Sequence, residues 1–224
     1  MNDVLDRKID LMVARTNNRP VASGQISVKK ALMLSAILCL FAFFVLMQFN
    51  QKTIILGLAS MPFAFSYPLM KRFTYWPQLF LGITFNYGLI LGWTAINGEI
   101  NLLPILFYFG AIFWTLGYDT IYGYQDLKDD EIIGLKSTSI KFKNNPIKFL
   151  IICYTVFLFT ILMIGLLMDL NKIFYLIYLI IFLQMSYFQI KKLNIENKLI
   201  CLKIFKSNNF LGFLVFFGLF AGKI

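Results

Sequence analysis

Near its N-terminus the sequence carries Asn2, Asp3, Asp6 and Asp10, followed by Arg15, Arg19, Pro20 and Gly24. On a helix turning about 100° per residue, Asp3, Asp6 and Asp10 fall at roughly 0°, −60° and −20°, so one face carries the oxygen donors. Oxygen donors gathered this way suit Mg²⁺, which takes one or two carboxylates and completes its shell with water and phosphate oxygens. A solvated helix start with acids near its positive end accounts for this segment alone equally well. A second segment contains Asp119, Tyr122, Gln125, Asp126, Asp129 and Asp130. Read as one helix, it puts Asp119, Asp126 and Asp130 at roughly 0°, −20° and +20°, a carboxylate stripe where an apolar run ends. Acids stacked on one face repel unless a cation joins them, and ionisable groups at a membrane helix end are functional candidates.

Candidate cations are Arg15, Arg19, Lys71, Arg72 and the basic loop with Lys136 and Lys141. Lys71 and Arg72 follow Tyr67 and Pro68 in a tight inter-helix connection and could neutralise a leaving diphosphate. Lys191, Lys192, Lys198, Lys203 and Lys206 read instead as ordinary interfacial anchors. Two carboxylate patches and several cations describe a site for a metal-chelated polyanion, most economically a diphosphate. The chain has no histidine, so the chemistry falls to carboxylates, amides, phenols, Lys and Arg. Cys39, Cys153 and Cys201 share no metal-ligand spacing and read as packing residues.

The elements that must position these groups are membrane helices. The 224 residues are 59% hydrophobic and 17% aromatic, with mean hydropathy +0.73, beyond what a soluble domain keeps from water. Seven charge-free stretches, near 31–49, 53–70, 77–97, 100–118, 149–168, 173–190 and 208–222, are long enough to span or nearly span a bilayer when tilted. They are apolar on all faces, which excludes barrel strands and predicts an all-α, polytopic bundle. Of the 21 Lys and Arg, only Lys52, Lys172 and Lys223 lie in the connections facing one way. The positive-inside rule therefore places both acidic segments on the cytoplasmic side of a bacterial inner membrane, or its organellar equivalent. The net charge of +10 sits between apolar runs rather than in a basic stripe, which speaks against nucleic-acid binding. No secretory signal is recognisable in the first thirty residues, which lack an apolar core segment.

The ordered motifs resemble the UbiA-type family of integral-membrane prenyltransferases, most closely its 4-hydroxybenzoate branch. Asn2-Asp3-x-x-Asp6-x-x-x-Asp10 with Arg15-Thr16-x-x-Arg19-Pro20 and Gly24 looks like the first aspartate-rich signature. Asp119-x-x-Tyr122-x-x-Gln125-Asp126-x-x-Asp129-Asp130 looks like the second. Tyr67 to Arg72, Trp76-Pro77-Gln78, Gly82, Asn86, Lys136 to Phe142 and Asn208 to Gly212 complete the set.

The resemblance implies that Asn2, Asp6, Asp126 and Asp130 hold Mg²⁺ ions bridging a polyprenyl diphosphate, with Asp3, Asp10 and Asp129 supporting that shell. Arg15, Arg19, Lys71 and Arg72 would contact the diphosphate, and Asp119 and Tyr122 would lie near the acceptor or the proton to be removed. The implied reaction is prenylation of the ring of 4-hydroxybenzoate in ubiquinone biosynthesis, with the tail lying toward the lipid bilayer. Members of the family carry nine spans, about two of them before the first signature, whereas that signature begins here at residue 2. Residues 1–224 are therefore expected to be a single membrane-embedded domain lacking the family's first two helices: a truncated product, a late-placed start or a fragment. Competing readings are another branch, taking haem, a naphthoate or a tocopherol-type acceptor, and an inactive remnant. A transporter fits less well, because the acids cluster at helix ends rather than at the midplane.

Overall fold

The computed structural model describes residues 2–13 and 15–224, and these are helical with no strand among them. Two short helices, α1 (Asn2–Leu5) and α2 (Arg7–Asp10), precede the first long one, α3 (Val28–Leu46). Next come α4 (Gln51–Ser66), a 3₁₀ turn (Tyr67–Leu69) and α5 (Met70–Phe73), which together form a single apolar span, Gln51–Phe73. The helices α6 (Pro77–Asn97) and α7 (Leu102–Gly123) follow, then the short α8 (Leu127–Ile133) and α9 (Thr138–Lys141). The chain continues through α10 (Pro146–Leu167), α11 (Lys172–Leu183), a π-helical segment (Gln184–Lys191) and α12 (Lys198–Lys223). Among the described residues, seven helices are long and apolar enough to cross a membrane, as the charge-free stretches predict. Many large apolar side chains, among them Phe41, Phe85, Phe159, Leu176 and Phe216, face outward. That outer surface belongs in lipid, where burial from water needs no protein partner.

Local signals set the helix starts. Ser27, Asn50, Asn101, Asn171 and Asn197 each cap a long helix by accepting a backbone N–H with the side-chain oxygen. Asn50 also donates to the Thr94 carbonyl at 2.8 Å, tying the start of α4 to the end of α6. Pro77 and Pro146 stand in the first turns of α6 and α10, where a missing N–H leaves no orphan. The helix α7 lies at the centre, packed on α6, α10 and α12. It approaches α10 closely because Gly110 and Gly117 face Thr160 and the ring of Tyr154, leaving no room for a Cβ. In contrast, α3 buries none of its side chains.

The last span differs from the sequence expectation. It begins at Lys198, ten residues before the charge-free stretch, because Lys198, Lys203 and Lys206 lie on exposed positions of one continuous helix. A membrane helix keeps such lysines at its interfacial end, where their stems reach the headgroups. Between α11 and α12, the π-helical turn brings Gln184 and Gln189 into a polar network between the spans. Tyr154 Oη donates to Gln189 Oε1 at 2.6 Å, and Gln189 Nε2 donates to Gln184 Oε1 and Asn208 Oδ1, both at 3.0 Å. Trp114 Nε1 also donates to Asn208 Oδ1 at 2.8 Å. Four spans are thereby joined by hydrogen bonds whose polar groups would otherwise have no partner in hydrocarbon.

Candidate active site

One end of the bundle holds a cavity of about 240 Å³, built where α1, α2, the Tyr67–Leu69 turn, α5, the start of α6, the end of α7 and α8 meet. Asn2, Asp6, Asp10, Asp119, Asp126 and Asp130 line it, with Arg15, Arg19, Lys71, Lys136 and Tyr122. The two acidic segments, more than a hundred residues apart in sequence, thus share one chamber.

Each segment departs from a single regular helix. The first breaks at Asp6, whose backbone (φ −93°, ψ 1°) separates α1 from α2, yet the four-residue ladder persists: Asp6 N–H donates to Asn2 O and Asp10 N–H to Asp6 O. The four-residue spacing of Asn2, Asp6 and Asp10 consequently survives. In the second segment α7 stops at Gly123, three-residue turns carry the chain through Gln125, and Asp126 precedes α8. The single-helix stripe of Asp119, Asp126 and Asp130 is therefore corrected to two helix ends with a turn between them. All three acids still line the cavity because the turn folds α8 back over it.

Cations from other elements meet the buried acids. Arg15 forks onto Asp126: Nε donates to Oδ1 at 2.9 Å and Nη2 to Oδ2, while Nη1 donates to Tyr122 Oη at 2.7 Å. The guanidinium also lies 5.2 Å from the centre of the Tyr122 ring, and Phe205 of α12 backs that ring at 4.5 Å. The hydrogen bond to Asp126 raises the Arg15 pKa, so this group stays charged. Lys71 Nζ donates to Asp6 Oδ2 at 2.6 Å, and Arg19 Nη1 donates to both oxygens of Asp10 at 3.1 Å. Arg72 does not line the cavity; it donates to the Leu5 carbonyl at 2.7 Å and stands 3.5 Å from Asp6 Oδ1.

The supporting acids divide. Asp10 lines the cavity, whereas Asp3 and Asp129 lie outside its lining, Asp3 at 3.4 Å from Arg19 and Asp129 at 4.0 Å from Lys198. Asp119 and Asp130 have no ion pair among the described residues. Burial, and secondarily the neighbouring Asp126, push the Asp130 carboxyl up to about 6. Of the basic loop, Lys136 reaches the cavity edge and donates to Phe73 O at 3.2 Å, while Lys141 stacks 4.4 Å above Trp76. Gln78 also lines the cavity, with Oε1 accepting the Thr138 N–H at 2.9 Å. In sequence it stood within the Trp76-Pro77-Gln78 motif of the resemblance, with no role at the site assigned to it. Ser137 lines the cavity as well and caps α9.

The donor set fits a hard divalent cation. Asp6 Oδ1 is buried and accepts no hydrogen bond, and Arg72 approaches it only to 3.5 Å, which leaves a position that a closer cation would satisfy. Among the described residues no three acids converge closely enough to enclose an ion alone. Mg²⁺ does not require this, since it draws most of its shell from water and substrate phosphates.

Known proteins resemble this chain in both sequence and fold. A 4-hydroxybenzoate polyprenyltransferase, mitochondrial, of Drosophila pseudoobscura pseudoobscura is 42% identical over 226 residues, which cover 100% of this chain and 56% of that protein. A 4-hydroxybenzoate octaprenyltransferase of Francisella tularensis subsp. novicida is 38% identical over 218 residues, covering 96% of this chain and 76% of the relative. The chain thus spans about half the length of the first and three quarters of the second. Two solved structures share the fold over 100% of this chain. A UbiA homolog from Aeropyrum pernix K1 does so with TM-score 0.79 at 21% identity over 83% of that chain. A digeranylgeranylglyceryl phosphate synthase does so with TM-score 0.72 at 18% identity over 79% of its chain. The model of the UbiA prenyltransferase family matches residues 1–217, and this integral-membrane chain belongs to that family.

Proposed function

We propose that this protein transfers a polyprenyl group from its diphosphate to the ring of 4-hydroxybenzoate, at the cytoplasmic or equivalent face of the membrane. The observation that carries the reading is the convergence of both acidic segments and three cation arms on one cavity at the end of the bundle that holds the basic connections. The names of relatives at 38–42% identity supply the acceptor.

Asn2 and Asp6 on one wall, with Asp126 and Asp130 on the other, would hold Mg²⁺ at the diphosphate. When bound, the metal supplies Lewis-acid stabilisation of charge on the leaving diphosphate. The protein's own groups do the rest. Arg15 and Lys71 lie beside these carboxylates and can turn from them to diphosphate oxygens, countering charge as the allylic C–O bond breaks. Tyr122 holds the Arg15 guanidinium from its far side. Arg19 keeps Asp10 and Asp3 in place, and Arg72 fixes the backbone at Leu5 beside Asp6. Asp119, half-buried on α7 without an ion-pair partner among the described residues, would take the proton released when the ring carbon ortho to the phenol oxygen becomes prenylated. Apolar helices around the prenyl chain would keep out the water that otherwise captures the allylic cation.

An acceptor panel tests the reading. Membranes containing the protein receive one polyprenyl diphosphate and Mg²⁺ with 4-hydroxybenzoate, a dihydroxynaphthoate, haem or a tocopherol precursor. Product from 4-hydroxybenzoate alone is expected; preference for another acceptor reassigns the branch while leaving the diphosphate site intact.

A further inference from the structure

A second cavity, of about 300 Å³, opens between α10 and the π-helical turn, away from the active site. Ile151, Thr155 and Leu158 form its α10 wall, and Phe182, Ser186 and Ile190 face them. The Tyr154–Gln189 hydrogen bond pins these two elements together behind the groove. A π turn carries more residues per turn than an α-helix, and such turns often mark functional positions. The groove is mainly apolar, with the hydroxyls of Thr155 and Ser186 on its walls.

Positive charge stands at the basic end of this groove. Lys148 precedes Ile151 by about one helical turn on α10. Lys191 and Lys192 follow directly on Ile190 and are held against aromatic rings: each Nζ lies 5.1 Å from the Tyr187 ring centre, and that of Lys192 lies 5.3 Å from Phe188. All three lysines are exposed, and none pairs with a carboxylate among the described residues. Three unneutralised lysines above an apolar, lipid-facing slot complement one kind of molecule: a negatively charged head with a hydrocarbon tail.

We propose that this groove is a specific site for an anionic phospholipid, its phosphate held by Lys148, Lys191 and Lys192 and one acyl chain lying along Ile151, Thr155 and Ser186. The site gives a role to three lysines that the prenyl-transfer chemistry does not use, and it is independent of that chemistry.

Phosphatidylglycerol titrated into the purified protein, followed by native mass spectrometry, tests this, with phosphatidylcholine as comparator. One phosphatidylglycerol should be retained in preference to phosphatidylcholine. At about 1 kcal/mol per interfacial lysine, the triple variant Lys148→Ala, Lys191→Ala, Lys192→Ala should bind it roughly 100-fold more weakly. Removing equal charge from α3 and α8, as Lys29→Ala, Lys30→Ala and Lys128→Ala, should change the affinity far less. Ser186→Trp, which fills the groove and leaves every lysine in place, should abolish retention. Equal binding of the two lipids, equal weakening by the two lysine triples, or full retention in Ser186→Trp would overturn the proposal.

Discussion

Asp6 and Asp126 are only 2% and 8% exposed, and each meets a cation from a distant element. A buried carboxylate demands such a partner. The sequence displayed the acids and the cations but not their pairing, because 111 residues separate Arg15 from Asp126 and 65 separate Asp6 from Lys71. If these two acids hold the metal, Asp6→Ala and Asp126→Ala should each lower kcat/KM by about 100-fold or more, the scale of losing a charge-stabilising group. Asp129 faces away from the cavity lining, so Asp129→Ala should lower it by no more than about 10-fold. Steady-state kinetics at saturating Mg²⁺ separate these cases, and an Asp129 variant as impaired as the other two would move the metal site. Tyr122 makes a different claim. Its hydroxyl accepts from Arg15 at 2.7 Å, so Tyr122→Phe should raise KM for the prenyl diphosphate about 10-fold, as expected for a hydrogen bond to a charged group. A change confined to KM for 4-hydroxybenzoate would instead seat the phenol beside the acceptor.

At the scale of elements, all seven spans were legible as apolar runs, but their ends were not. The last helix hid behind Lys203 and Lys206, since a search for charge-free sequence stops at lysines that a real helix carries to its interfacial end. The break between α7 and α8 was hidden differently. A helical-angle reading assumes continuity, and the turn at Gly123 to Gln125 is set by packing against α9, where Thr120 and Thr138 share a hydrogen bond and Ser139 donates to Thr120 O. The π-helical turn had no signature beyond two glutamines in an apolar run. Its network makes a stability prediction: Gln189→Leu strips the acceptor from Tyr154 Oη and the donor from Asn208 Oδ1. Hydrogen bonds between membrane helices contribute about 0.6 kcal/mol each, so this variant should lose roughly 1 kcal/mol in detergent-titrated unfolding. Unchanged stability would mean that the freed groups find other partners.

For the whole molecule, the basic connections and the cavity occupy the same end of the bundle, and the opposite end carries Lys52 and Lys172 in the first turns of α4 and α11 and Glu99 in the loop between α6 and α7. A cysteine placed at Lys143 in a background lacking Cys39, Cys153 and Cys201 should react with an impermeant maleimide only from the cytoplasmic side, and one at Glu99 only from the other. Labelling of both from one side would refute the topology. Charge placement made the shared end of the basic connections and the cavity readable without coordinates, and the labelling decides which side of the membrane that end faces. Charge placement put the two acidic segments on one face and the resemblance of their motifs paired them, but neither segment alone specifies which residues of the other it meets. That meeting is the central claim, and the binding of an unreactive polyprenyl thiodiphosphate tests it most directly. Isothermal titration of the protein should show binding that requires Mg²⁺ and is lost in both Asp6→Ala and Asp126→Ala. Binding that survives chelation of Mg²⁺, or that either variant retains at full strength, would contradict a diphosphate site shared by the two acidic segments.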